Sequence, residues 1–151
     1  MQIQIEVPDQ TLAKLLGMAR ERGISYWCSG VKALRGRNTV YDSRTIKVLE
    51  QDLYYPIHDG KWIITDSVEN KSHVLNHGAL MAGLLTLVQK KTPAISLLLD
   101  GAAYSELGDM LVQYALFGEL KYARGKEPGK GAVYVCKKCQ EPQPCSCLRM
   151  S

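Results

Sequence analysis

The chain has 151 residues, 46% hydrophobic and 23% charged, with a formal net charge of +4. That length sets one main domain as the expectation, and the composition excludes disorder throughout. The longest apolar run, Gly78 to Val88, falls short of the roughly 20 residues a membrane-spanning helix needs, so a buried core helix is expected there and no membrane partner.

Met1 to Val7 shows no basic start, apolar stretch or small-residue cleavage site, so a cytoplasmic protein is expected. Ile3, Ile5 and Val7 alternate with Gln4 and Glu6 as in a half-buried strand. Pro8 and Asp9 open a helix whose apolar face is Leu12, Leu15, Leu16 and Ala19, and Gly23 is its natural stop. The aromatic run Ile24 to Cys28 reads as a strand. Val31 to Leu34 has no clear period, Arg35 to Asn38 reads as a turn, and Thr39 to Tyr41 as a brief strand. Trp62 to Thr65 is a strand after the turn His58-Asp59-Gly60, and Ser72 to Leu75 its hairpin partner. Asn76 caps a helix over 77–91, apolar around most of its circumference. Ala94 to Leu99 is a short apolar turn or helix. A last helix from Ser105 to Phe117 ends at Gly118, and Leu120 to Ala123 is a closing strand. The pattern is α+β: an antiparallel sheet with helices on one face.

Composition divides the chain into a compact body (1–122), a Gly/Lys-rich linker (123–131) and a basic, cysteine-rich tail (132–151) in which Ala132 to Val135 forms a short strand. Residues 121–151 hold seven basic and two acidic side chains, a balance of +5. Residues 1–120 hold 12 basic and 13 acidic, a balance of −1. Lys130, Lys137, Lys138 and Arg149 are the tail's candidate contacts to nucleic acid or another partner, set against the plainer reading of a solubilising tail. A second basic patch holds Lys32, Arg35, Arg37 and Arg44 against Asp42. With Tyr26 and Trp27 it suggests a surface for stacking and phosphate contacts, although an aromatic pair on a short strand also suits a core.

Cys136, Cys139, Cys145 and Cys147 form C-x2-C-x5-C-x-C, and four clustered thiols in a reducing compartment favour a metal. Four thiolates suit one structural zinc per chain in a knuckle-like tail, with an iron–sulfur cluster or unliganded thiols as the other readings. Such a shell leaves no open position for catalysis.

Three body segments, Gly23-Ile-Ser-Tyr-Trp-Cys28, Trp62-Ile-Ile-Thr-Asp66 and Gln113-Tyr-Ala-Leu-Phe-Gly-Glu-Leu-Lys-Tyr122, appear in this order. Together they resemble a family of small bacteriophage and prophage proteins of unassigned function. The resemblance covers residues 1–122 and not the cysteine tail. It implies an accessory protein of a virus in the cytoplasm of its bacterial host, leaves room for a role against host defence, and supplies no catalytic residues.

Other motifs fall short of a chemistry. His73 and His77 stand four apart, but Asn76 as the cap puts one in a strand and the other in a first helical turn, and H-E-x-x-H is lacking. Gly125 to Gly131 lacks the P-loop spacing and its hydroxyl residue. Asp66, Asp100 and Asp109 fall at element ends, where caps and turns account for them. Cys28 reads as a small buried hydrophobe. The expectation is therefore a non-catalytic binding protein acting on a host macromolecule or nucleic acid. Two alternatives stand beside it. One is a small hydrolase in which two or more of His58, Asp59, Asp66, His73, His77 and Asp109 meet in a pocket. The other is an oligomer of the body that binds a small ligand or nucleotide.

Overall fold

The computed structural model describes residues 7–90, 105–124 and 132–136. The expected segments Ala94 to Leu99 and Gly125 to Gly131, and all but Val7 of the first expected strand, lie outside the described residues.

Helix α1 (Asp9–Met18) starts where Pro8 and Asp9 place it. The Pro8 carbonyl accepts from the Thr11 and Leu12 amides, and Asp9 favours the positive end of the helix. One turn of π-helix (Ala19–Gly23) follows, closed by the Ile24 amide on the Ala19 carbonyl. The expected strand at Ile24–Cys28 is instead a turn: the Trp27 and Cys28 amides both donate to the Ile24 carbonyl. That leaves strand β1 to begin at Cys28 and run to Leu34. The Thr39–Tyr41 strand does not form either, because the Asn38 amide donates to the Asp59 carboxylate, 2.6 Å away, rather than to a ladder.

A 3-10 segment (Val48–Tyr54) leads to the hairpin β2 (Lys61–Asp66) and β3 (Lys71–Asn76). Its turn is tied by Asp66, whose Oδ1 accepts from the Val68 and Glu69 amides, and Asn70 takes the positive φ that asparagine tolerates. The sheet is antiparallel in the order β1-β2-β3. Ala33, Trp62 and Leu75 pair across it, as do Val31, Ile64 and His73, and these point toward the helices. Trp62, Ile64 and Leu75 are fully buried. Lys32, Ile63 and Val74 pair on the other face, where Val74 is 46% exposed.

Helix α2 (His77–Lys90) is capped as expected, with the Asn76 Oδ1 accepting from the Ala79 amide. Helix α3 (Ser105–Phe117) ends with the Gly118 amide on the Tyr114 carbonyl. Leu12, Leu16, Leu80, Leu87 and Leu111 join the sheet residues in one core. The helices approach closely because glycines stand at the crossings. An ideal Cβ on Gly108 would lie 2.5 Å from the Leu15 carbonyl oxygen, and one on Gly83 would lie 2.6 Å from the Ala115 nitrogen. Strands β4 (Tyr122–Arg124) and β5 (Ala132–Tyr134) form a second antiparallel pair, and the Val135 amide donates to the Lys121 carbonyl. The first residues of the cysteine tail thus rest on the body. Among the described residues no helix is long and apolar enough to cross a membrane.

Candidate functional site

Two polar regions stand out, one inward and one outward. The inward region joins the Ile24–Trp27 turn to α3 and β4. Trp27 is fully buried, and its Nε1 donates to Asp109 Oδ1 at 2.9 Å. The Tyr26 hydroxyl donates to Asp109 Oδ2 at 2.6 Å, and the Gln113 amide donates to Asp109 Oδ1 at 2.9 Å. Gln113 Oε1 accepts from the Lys121 and Tyr122 amides and so fixes the start of β4. The Tyr122 ring stacks on Trp27, and its hydroxyl donates to Asp66 Oδ2 at 2.5 Å. Burial, with the Asp66 carboxylate beside it, holds the Tyr122 hydroxyl well above the ordinary phenol range.

These bonds correct the expected stacking surface. Trp27 is in the core and offers no face to a base, and Tyr26 is committed to Asp109. Arg35 has other neighbours: it donates to the Thr39 carbonyl and lies over the Tyr41 ring. The aromatic pair and the arginines therefore have separate partners.

A cavity of about 270 Å3 lies beside this network, lined by Tyr26, Asp109, Met110, Gln113 and Leu120 among others. It falls just under the usual size of a small-molecule pocket. Of the six residues that a hydrolase site would draw on, Asp109 alone lines it. Four of the others have hydrogen-bond partners elsewhere, and the buried His73 Nε2 has none among the described residues. His58 bonds the Tyr41 hydroxyl (3.0 Å) and Asp9 (3.3 Å), and Asp59 the Asn38 amide. Asp66 bonds Tyr122, and His77 lies against the Ile57 carbonyl (2.7 Å). His73 meets the Phe117 ring edge-on, as a strand residue with no link to His77.

The outward region runs from the exposed sheet face into the loop after β1. Register places Lys32 and Lys61 on the outer face, and Arg35, Arg37, Arg44 and Lys47 follow β1 in the chain. All six are exposed, and none has an ion-pair partner among the described residues. Residues 32–47 hold five basic side chains against Asp42 alone. The loop itself is anchored. The Thr39 hydroxyl and the Asn38 amide hold the Asp59 carboxyl below its usual range. Tyr41 bonds His58, and its hydroxyl is pushed up to about 12 by burial and by the nearby Asp59 charge. Asp42 closes a turn by accepting from the Arg44, Thr45 and Ile46 amides. The anchored backbone carries exposed guanidinium groups, the groups that bind phosphates or carboxylates.

Of the four cysteines, Cys136 is described: it follows β5 and is 8% exposed. Cys139, Cys145 and Cys147 lie outside the described residues, as do Lys130, Lys137, Lys138 and Arg149. The Asp109–Gln113 network escaped the sequence reading because its bonds span 82 and 83 residues. A local trace existed in the i, i+4 spacing of Asp109 and Gln113, which puts both on one side of α3. Compared with protein-family models, curated proteins and solved structures, the chain matches none.

Proposed function

We propose that this chain is a phage-type accessory protein that binds nucleic acid without catalysing a reaction on it. The observation that carries this reading is the set of exposed cations Lys32, Arg35, Arg37, Arg44, Lys47 and Lys61, without ion-pair partners among the described residues and on an anchored backbone. Exposed like charges repel one another in the free protein, and a polyanion relieves that repulsion while releasing its own counterions.

The tail extends the same surface in composition, through Lys130, Lys137, Lys138 and Arg149. In this reading Cys136, Cys139, Cys145 and Cys147 hold one structural zinc, which fixes Lys137 and Lys138 in the loop between the first two ligands. Cys136, buried where β5 ends, sets one ligand of that site against the body. Metal analysis of the purified chain should give one zinc, lost in Cys139→Ser.

The main test is a titration of duplex DNA between about 50 and 200 mM salt. Four phosphate contacts give a log–log slope of about −3.6 and an affinity loss of about 150-fold over that range. Replacing Arg35, Arg37 and Arg44 together by Gln should flatten the slope by about two to three units, and Lys137 with Lys138 by up to about two. Contacts of this kind are blind to sequence. Slopes equal to that of the wild type in both variants would overturn the reading.

A further inference from the structure

Two aliphatic side chains stand where the basic loop ends. Val48 is 69% exposed and Leu49 is 90% exposed. Lone apolar residues on a surface are ordinary. These two are consecutive, open a 3-10 segment, and directly follow Lys47.

The exposed Glu50 follows, and the rest of that segment, from Gln51 to Tyr54, is half-buried. Gln51 donates to the Ile46 carbonyl, Asp52 pairs with Arg20, Leu53 packs against Gly17, and the Asp52 carbonyl accepts from Trp62 Nε1. A cavity of about 300 Å3 lies between α1 and this segment, lined by Ala13, Ile46 and Leu53 among others. Val48 and Leu49 do not line it. The two aliphatic tips stay outside this mixed cavity, which Gln10, Lys14 and Glu50 also line, on a backbone set by the Asp42 turn and the Glu50 amide bond to Lys47.

We infer that Leu49, supported by Val48, is a wedge that enters between stacked bases of duplex DNA while Arg44 and Lys47 hold the flanking phosphates. This rests on the nucleic-acid reading above and adds the form of the ligand: a duplex kinked at the protein. Aliphatic wedges of this kind unstack a base step and bend the helix, and the cost of unstacking is offset by the wider contact that the bend allows. Five residues of chain span at most about 17 Å, so Arg44 and Leu49 reach the same few base pairs. Six exposed cations without ion-pair partners among the described residues supply the charge that complements a polyanionic duplex. The wedge also predicts a preference at positions that no side chain reads. Flexible pyrimidine–purine steps kink at low cost, so a duplex with a central TA step should bind better than a stiff A-tract.

The experiment uses the full chain and a duplex of about 25 base pairs labelled at both ends for energy transfer. Wild-type protein should bring the ends together. Leu49→Ala should abolish most of that change, weaken binding by no more than about tenfold, and leave the salt slope unaltered. Equal melting temperatures for the two proteins, expected for so exposed a residue, show that the variant is folded. Salt-dependent binding without bending, or bending that survives in Leu49→Ala, overturns the wedge and leaves the nucleic-acid reading standing. No binding by the wild type overturns both. Flotation with anionic vesicles that is lost in Leu49→Ala, with no bending of DNA, assigns the tips to lipid and likewise overturns the wedge.

Discussion

Replacing Tyr122 with Phe removes one oxygen from an enclosed bond. The hydroxyl lies 2.5 Å from Asp66 Oδ2, and both residues are buried. The ring would keep its stack on Trp27 and its edge contact with Phe117, so packing changes little. Asp66 Oδ1 would keep the Val68 and Glu69 amides, but Oδ2 would lose its hydroxyl donor. A hydrogen bond to a charged group contributes about 1.5–3 kcal/mol, and a stranded buried acceptor falls at the upper end. The expected loss is therefore about 2–3 kcal/mol, or about 4–12 °C in Tm for a chain of this size. Urea unfolding should show a lower midpoint with an unchanged slope, since the surface exposed on unfolding is the same. The same substitution in an Asp66→Asn background should cost clearly less, because the partner charge is gone. A single-variant loss under about 0.5 kcal/mol, the range of ordinary surface changes, would refute the assignment of this bond as a tie between the hairpin and β4.

Stability should fall at alkaline pH. Tyr122 and Tyr41 are both raised above the ordinary value of 10.0, so the folded chain keeps protons that the unfolded chain releases. Their contribution is full below about pH 10 and declines above it, for Tyr41 until about pH 12, and Tyr122→Phe should make the decline shallower in urea midpoints taken across that window. Gly108→Ala should cost about 1–3 kcal/mol by forcing α1 and α3 apart, read as a drop in Tm. Ending the chain at residue 124 removes β5 and the Tyr134 ring that lies 5.5 Å from Tyr122. The melt should stay cooperative but shift down by about 1–2 kcal/mol, and a broad transition would show that β5 is needed to close the core.

The helices were legible because their boundaries are local chemistry. Asn76, Pro8 with Asp9, and Gly118 each act within a turn of their own position. The β2–β3 hairpin was legible for the same reason, and alternation along β2 sorts Trp62 and Ile64 from Lys61 and Ile63. Strand β1 was hidden because it is an edge strand with a register shift between Cys28 and Gly30, which breaks its alternation. For Trp27 the sequence left both a surface and a core position open, because the bond that draws it inward comes from Asp109, far along the chain. The basic patch at 32–44 was visible as composition. Its anchoring was not, because the Asp59 and His58 bonds that hold it cross from a turn that reads as plain surface.

The π-turn at Ala19–Gly23 has a consequence for how this chain can change length. A regular helix advances about 100° for each residue, so one residue more or less re-aims everything that follows. The wide turn absorbs one residue before the chain reaches Tyr26 and Trp27, and it delivers both to the same carboxylate on α3. Deleting the exposed Glu21 would allow a straighter, locally better helix, yet would swing the aromatic pair about a quarter turn away from Asp109. The local gain and the global loss have opposite signs. The turn works as an angular spacer, and single-residue deletions should be tolerated far less here than in the polar loop around Ser43.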